Sequence, residues 1–265
     1  MYDFAYHRPK TLADAVATLK GKDEARPMSG GMTLIPTLKQ RLAKPSDVVD
    51  LADLKDLAGV KVEGSGVTIG AMTKHADVAS SSDVKSAIPA LAYLASHIGD
   101  PAVRNRGTIG GSVANNDPAA DYPAAVLALN ATITTNTRKI PADGFFKGLF
   151  ETALGEGELI TSITFPKADK AAYMKFPNPA SRYAMVGVFV AKTAAGVRVA
   201  VTGAGPSVFR VKAMEDALAR NFSSDAIKDI KIPSDDLNSD IHGSAEYRAH
   251  LVNVMARRAV DAASK

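Results

Sequence analysis

The sequence predicts an α+β protein in two parts, a mixed N-terminal region followed by a small C-terminal domain with an antiparallel sheet and helices. Three observations carry that expectation. Helical and strand-like apolar periods mix without a fixed order over the first part of the chain. A polar stretch short of packing residues, Pro166 to Ala172, then interrupts them. Beyond it, two apolar runs, Met185 to Ala191 and Val197 to Thr202, flank a Gly-containing turn and read as an antiparallel pair. The expected limits are 1–168, with subdomains of about 1–55 and 56–168, and 169–265.

Taken in order, Thr11 to Leu19 places Leu12, Ala15, Val16 and Leu19 at helical spacing behind an N-cap threonine. Val48 to Leu51 is a short strand, so a β-α-β start is expected. Val60 to Val62 and Val67 to Gly70, separated by Glu63 to Gly66, form a hairpin signal. Ile88 to Ser96 and Pro118 to Leu129 are apolar helices that bracket a glycine-rich loop, and Thr132 to Thr135 and Leu159 to Phe165 are strands. In the C-terminal domain, Ala213 to Ala219, Ala226 to Ile230 and Glu246 to Ala262 read as helices.

Composition narrows the function classes. At 46% hydrophobic and 23% charged residues the chain is an ordinary globular protein. No apolar run approaches the roughly 18 residues of a membrane span, and the first residues lack a charged-then-apolar leader, so a cytoplasmic protein without a transmembrane segment is expected. The 32 Lys and Arg are dispersed among 28 acids with no basic block, which argues against nucleic acid. With no cysteine, the chain holds no disulfide, thiolate nucleophile or Cys-ligated iron–sulfur cluster. His7, His75, His97, His242 and His250 show no metal-ligand spacing and no serine lies in a G-x-S-x-G elbow, so neither metal site nor catalytic residue is assigned. His97 is the histidine to watch, because it lies just before the Gly99 to Gly107 loop.

Two glycine-rich segments carry the chemistry. In Arg104-Asn-Arg-Gly-Thr-Ile-Gly-Gly-Ser-Val-Ala-Asn-Asn-Asp-Pro-Ala-Ala-Asp121, Gly107, Gly110 and Gly111 are free to take φ > 0, and successive N–H groups are expected to converge on a phosphate. Thr108 and Ser112 would add hydroxyl donors. Upstream, Ser29-Gly30-Gly31-Met32-Thr33 leads into Leu34-Ile35-Pro36, with Thr33 as N-cap and Pro36 in the first helical turn, a second expected anion turn. Two such turns suggest a long ligand with two phosphates. Neither matches G-x-G-x-x-G or a P-loop, so a Rossmann nicotinamide site and a P-loop kinase are unsupported.

These residues resemble the two FAD-binding signatures of the flavoprotein (medium) subunit of molybdenum hydroxylases, the xanthine dehydrogenase and aerobic carbon monoxide dehydrogenase family. The likeness runs through Tyr6-His7-Arg8-Pro9, Arg41 to Pro45, Ile69-Gly70-Ala71-Met72-Thr73, Glu156 to Ile160, Ser181-Arg182-Tyr183-Ala184 and Ala245 to Leu251. It implies a two-part FAD-binding domain of the PCMH type. It also implies FAD contacts from Ser29, Gly30, Gly31, Met32, Thr33, Leu34, Thr108, Gly110, Gly111, Ser112 and Asp117. Asp121 matches an aspartate on the adenosine side of FAD, and Ile98 and Ile160 match apolar positions beside the cofactor. Lys175 matches a lysine near it, and Tyr183 is placed to cover the flavin ring. The implied partners are a small [2Fe–2S] iron–sulfur subunit and a large molybdopterin subunit, in a hetero-oligomer such as a dimer of heterotrimers. Electrons from a molybdenum centre would pass through the clusters to the flavin and on to an external acceptor. A stand-alone FAD oxidase or reductase, and a cofactor-less scaffold of the same fold, remain open on the sequence.

Overall fold

A β-α-β unit opens the chain in the computed structural model, which describes residues 1–64 and 66–265. Strand β1 (Ala5–His7) leads to helix α1 (Leu12–Lys20), then β2 (Arg26–Met28), α2 (Leu34–Lys39) and β3 (Asp47–Asp50). The three strands form a parallel sheet in the order β1-β3-β2. Thr11 caps α1 by accepting the Asp14 amide at 3.1 Å. Strand β3 is buried throughout, and its acids are held from β1: Tyr6 donates to Asp50 at 2.6 Å and His7 pairs with Asp47 at 2.6 Å. That ladder, extended by Arg8 to Asp53 at 2.8 Å, gives the Tyr6-His7-Arg8 run a structural use.

A five-stranded antiparallel sheet forms the next layer, in the order β4-β5-β10-β6-β7. It comprises β4 (Val60–Glu63), β5 (Gly66–Gly70), β6 (Thr132–Thr135), β7 (Lys139–Pro141) and β10 (Ile160–Pro166). The hairpin turn between β4 and β5 includes Ser65, which lies outside the described residues. Between β5 and β6 run α3 (His75–Ser80), α4 (Ser82–Ala87), α5 (Pro89–Ser96), α6 (Pro101–Arg104), α7 (Ile109–Asn115) and α8 (Tyr122–Ala128). A short hairpin of β8 (Phe146–Gly148) and β9 (Glu151–Thr152) precedes β10. Ile69, Ile133, Ile163 and Phe165 pack with Leu91, Leu94, Ile109 and Val126, all fully buried. Each such side chain contributes about 1.5–3 kcal/mol of burial.

The C-terminal sheet has the order β11-β12-β13-β14: β11 (Lys170–Pro177), β12 (Ala184–Thr193), β13 (Gly196–Thr202) and β14 (Phe209–Arg210). Helices α9 (Lys212–Arg220) and α10 (Ala245–Ala263) follow. Strand β12 shows no apolar alternation because both its faces are covered. Val186, Val188 and Val190 pack with Leu251, Val252 and Met255, whereas Phe189 and Ala191 join the core beneath α5 and α8. One core therefore crosses the boundary near residue 168.

Several expectations need correction. The segment after Thr108 is not loop but the helix α7, whose N-cap is Thr108. The helix expected from Pro118 begins only at Tyr122, because Asp117 to Ala120 close a turn in which the Asp117 carboxylate accepts the Ala119 amide. Ser224–Ile227 is a 3-10 turn rather than the helix expected at 226–230. The polar stretch 166–172 shrinks to a three-residue connection, since β11 already starts at Lys170. Among the described residues, no helix is long and apolar enough to cross a membrane and no cluster of metal-ligating side chains occurs.

Candidate cofactor cleft

Turns from all three layers converge on one cleft of about 820 Å³, within the roughly 300–1,000 Å³ typical of small-molecule sites. Ser29, Gly30, Gly31, Met32, Thr33 and Leu34 line it, with Thr108, Gly110, Gly111 and Ser112. So do Ile98, Asp117, Asp121, Ile160 and Tyr183. Of the expected residues only Lys175 stands behind the wall, bonded to Asp121.

The first segment has its donors free. Gly31 adopts φ +72°, a left-handed conformation suited to glycine. Among the described residues, the amides of Gly30, Gly31, Met32, Thr33 and Leu34 have no acceptor within the chain. Thr33 occupies the N-cap position with helical φ and ψ and makes no side-chain cap, a correction to its expected role. Helix α2 has only six residues, so any pull on an anion here would come from the turn's own amides rather than from a long helix dipole.

The second segment differs. The Ile109 amide donates to Thr73 O at 3.0 Å, Gly110 to Ala71 O at 2.9 Å, Gly111 to Thr108 Oγ1 at 3.1 Å and Ser112 to Thr108 O at 3.0 Å. The expected convergence of these amides on a phosphate is therefore corrected: they are spent inside the protein. Positive φ is absent at Gly107, Gly110 and Gly111 as well. Their lack of a Cβ serves close packing instead. A Cβ on Gly110 would lie 2.5 Å from Ala71 Cβ, and one on Gly107 2.5 Å from His75 Nε2. The two segments also touch each other. Thr108 Oγ1 donates to Ser29 Oγ at 3.1 Å, and a Cβ on Gly30 would clash with the Arg106 carbonyl.

Asp121 is the buried carboxylate of the wall, 4% exposed. Its carboxylate accepts from Tyr173 at 2.5 Å and Lys175 at 3.0 Å. Burial pushes its pKa up, and the Lys175 ammonium and the Tyr173 hydroxyl pull it back. Burial, with Asp121 beside it, raises the Tyr173 phenol well above its usual range, so Tyr173 stays a donor. Both partners come from β11. Thr202 adds hydrogen bonds to Pro118 O at 2.9 Å and Ala120 O at 2.6 Å, and Gly203 donates to Pro118 O at 2.7 Å. The C-terminal domain thus fixes the Asp117–Asp121 turn.

His75 is a residue that sequence reasoning passed over. It lines the cleft at 4% exposure, donates its amide to Gly107 O at 3.0 Å, and leaves Nδ1 buried without a partner. Burial, assisted by Arg104, lowers its pKa to about 4. The signal was its place two residues after Thr73 in a run already singled out. Phe150 also went unnoticed. His97, by contrast, ends α5 with its ring on Tyr93 at 4.1 Å and is absent from the lining. It contributes a carbonyl, which accepts from Lys175 at 3.0 Å.

The chain that forms this cleft, with its free amide run, buried carboxylate and two packed glycine segments, matches a known family. The profile described as "FAD binding domain in molybdopterin dehydrogenase" covers residues 2–168, and "CO dehydrogenase flavoprotein C-terminal domain" covers 171–263. The chain belongs to this FAD-binding family. Among its members, the glyceraldehyde dehydrogenase medium chain of Sulfolobus acidocaldarius is 38% identical, with 97% of each chain covered. The carbon monoxide dehydrogenase medium chain of Hydrogenophaga pseudoflava is 36% identical over 98% of this chain and 96% of its own. A solved structure of carbon monoxide dehydrogenase from that organism superposes with a TM-score of 0.90, covering 99% of this chain and 98% of the other at 36% identity. Quinoline 2-oxidoreductase from Pseudomonas putida 86 reaches 0.89 at 27% identity over 99% and 97%. FAD is accordingly the cofactor of this family member.

Proposed function

We propose that the chain is the FAD-carrying subunit of a multi-subunit molybdenum hydroxylase, working in the cytoplasm. It takes electrons from [2Fe–2S] clusters of a small partner subunit, while a large molybdopterin subunit oxidises the substrate. A dimer of such heterotrimers is the assembly we infer. The observation that carries the reading is the run of free amides at Gly30 to Leu34 opening on the same cleft as Asp121.

When bound, FAD supplies two-electron redox chemistry that also proceeds in single-electron steps. The chain's own residues bind and orient. The Gly30 to Leu34 amides hold the diphosphate, with Ser29 and Ser112 beside them, and Asp121 accepts the adenosine ribose hydroxyls. Ile98, Ile160 and Tyr183 flank the planar rings and exclude water. Thr108, Gly110 and Gly111 support that wall from within, and Lys175 favours the ionised form of Asp121 against the effect of burial. Residues 1–168 form the FAD unit, in subdomains of about 1–55 and 56–168, and 169–265 form the domain that braces it. No acid or base is assigned, since none is needed to carry electrons.

Because these 265 residues contain no cysteine, an iron–sulfur donor centre must be ligated by residues outside them, and we assign it to the small partner subunit. Anaerobic stopped-flow tests this. Carbon monoxide, aldehydes and N-heterocycles are expected to leave the flavin band of the isolated chain unchanged, and to bleach it once the two partner subunits are added. Rapid bleaching of the isolated chain would establish a stand-alone oxidase instead.

A further inference from the structure

Two aromatic residues stand at the cleft in hairpin connections, and a buried asparagine holds each connection. Tyr183 is 52% exposed and follows Arg182, whose φ is +62°. Its hairpin, between β11 and β12, is held by the buried Asn178, whose Oδ1 accepts the Ala180 amide at 2.9 Å and the Ser181 amide at 3.1 Å. Phe150 is 57% exposed and itself sits at φ +54°, between β8 and β9. Its tip is held by Asn116, fully buried, whose Nδ2 donates to Gly148 O at 2.8 Å and to Glu151 O at 2.9 Å. Both residues line the cleft.

A left-handed backbone is costly for a bulky side chain, and it persists only where the surroundings impose it. Here the two-residue connection between Gly148 and Glu151 carries it, and Asn116 bonds the carbonyls on both sides. Asn116 ends α7 in a left-handed conformation of its own (φ +44°), so the Phe150 tip is tied to the helix that carries Gly110 and Gly111. An exposed phenyl ring kept in such a conformation beside a cofactor cleft gains nothing from the core of the isolated chain.

We propose that Phe150 packs against a planar ring of bound FAD as a positioning residue, in company with Tyr183. The inference rests on the FAD reading. Aromatic packing beyond simple burial is worth roughly threefold to tenfold in affinity, so Phe150→Ala is expected to weaken FAD binding to the full chain by about that factor. Phe150→Gly separates ligand contact from backbone effects. Glycine relieves the left-handed conformation, so its melting temperature in the absence of flavin is expected to hold or rise while FAD binding still weakens. Phe150→Trp is expected to retain FAD and to quench flavin fluorescence below that of the unsubstituted chain, which a purely structural residue would not do.

Repeating the titrations with FMN and with ADP identifies the ring. A loss confined to FMN assigns the isoalloxazine, a loss confined to ADP the adenine, and either supports the proposal. FAD affinity unchanged in both Phe150→Ala and Phe150→Gly overturns it while leaving the FAD reading intact. Failure of the unsubstituted chain to take up FAD sinks both.

Discussion

Residues 29–34 and 107–112 look like two copies of one device, each with paired glycines, hydroxyl side chains and a place on the same cleft. They differ in what happens to their amides. In the first segment those of Gly30 to Leu34 have no acceptor among the described residues, and in the second those of Ile109 to Ser112 are all satisfied by the chain. Paired glycines let a backbone come close to something, but sequence does not say to what. In the second segment it is Ala71, His75 and the first segment itself, whereas in the first Gly30 fits against the Arg106 carbonyl and Gly31 allows the left-handed turn that faces the cleft.

The sharpest way to break this contrast is a Cβ in each segment. In Gly110→Val the new atoms meet Ala71, whose carbonyl already accepts the Gly110 amide and cannot retreat. Overpacking against backbone is expected to cost about 3 kcal/mol or more, read as a large fall in the urea midpoint. Gly31→Ala meets the flexible end of Ile35 at 2.7 Å and forces φ +72° on an L-residue, a cost of about 1–2 kcal/mol. It is expected to stay folded and lose flavin per chain after gel filtration. A stable Gly110→Val or a fully yellow Gly31→Ala would erase the distinction.

The second segment also rests on a titratable group, and the first does not. His75 is neutral in the folded protein because burial lowers its pKa from 6.5 to about 4. Between those values the unfolded chain binds a proton that the folded chain refuses, so stability is present above pH 6.5 and is lost as pH falls toward 4. The full loss is at most about 3 kcal/mol. Glu158, whose pKa is lowered first of all by Arg138, loses stability with the same sign but only below its ordinary value of 4.5. In urea unfolding from pH 7.5 to 3, His75→Leu is expected to flatten the profile between 6.5 and 4 and leave the lower slope. An unchanged upper slope would show that His75 titrates normally.

What was legible in the sequence follows from these same physical differences. The β-α-β start, the first hairpin and the capping by Thr11 are local, set by period and side-chain oxygen, and they formed as read. Helix α7 was obscured because glycine weakens helix propensity, and its cost is met by tertiary bonds to Thr73 and Ala71 that no window of sequence contains. The positions around the cleft were recognisable through the family pattern, whereas His75 and Phe150 were not. Their significance lies in burial without a partner and in a left-handed backbone. The use of the C-terminal domain was hidden for a similar reason, since Tyr173 and Thr202 meet the cleft turn only after the sheet has packed.

Asp121 offers the finest test, because it lies beyond both glycine segments and is satisfied from behind by β11. Removing its side chain would strand Lys175, which is 6% exposed, and confuse binding with folding. Asp121→Asn keeps the shape and an acceptor for Tyr173 while abolishing the charge, so a urea midpoint measured alongside corrects for the weakened Lys175 contact. If the carboxylate holds the adenosine ribose, the substitution affects a half of the ligand that FMN lacks. Losing a charge-assisted hydrogen bond is worth roughly 1.5–3 kcal/mol, so FAD affinity is expected to fall by that amount and FMN affinity to hold. Equal weakening of both would move Asp121 to the diphosphate or flavin side, leaving the free amides of the first segment to serve the remainder. If neither changes, the Tyr173–Asp121–Lys175 cluster braces the domains and does not touch the ligand.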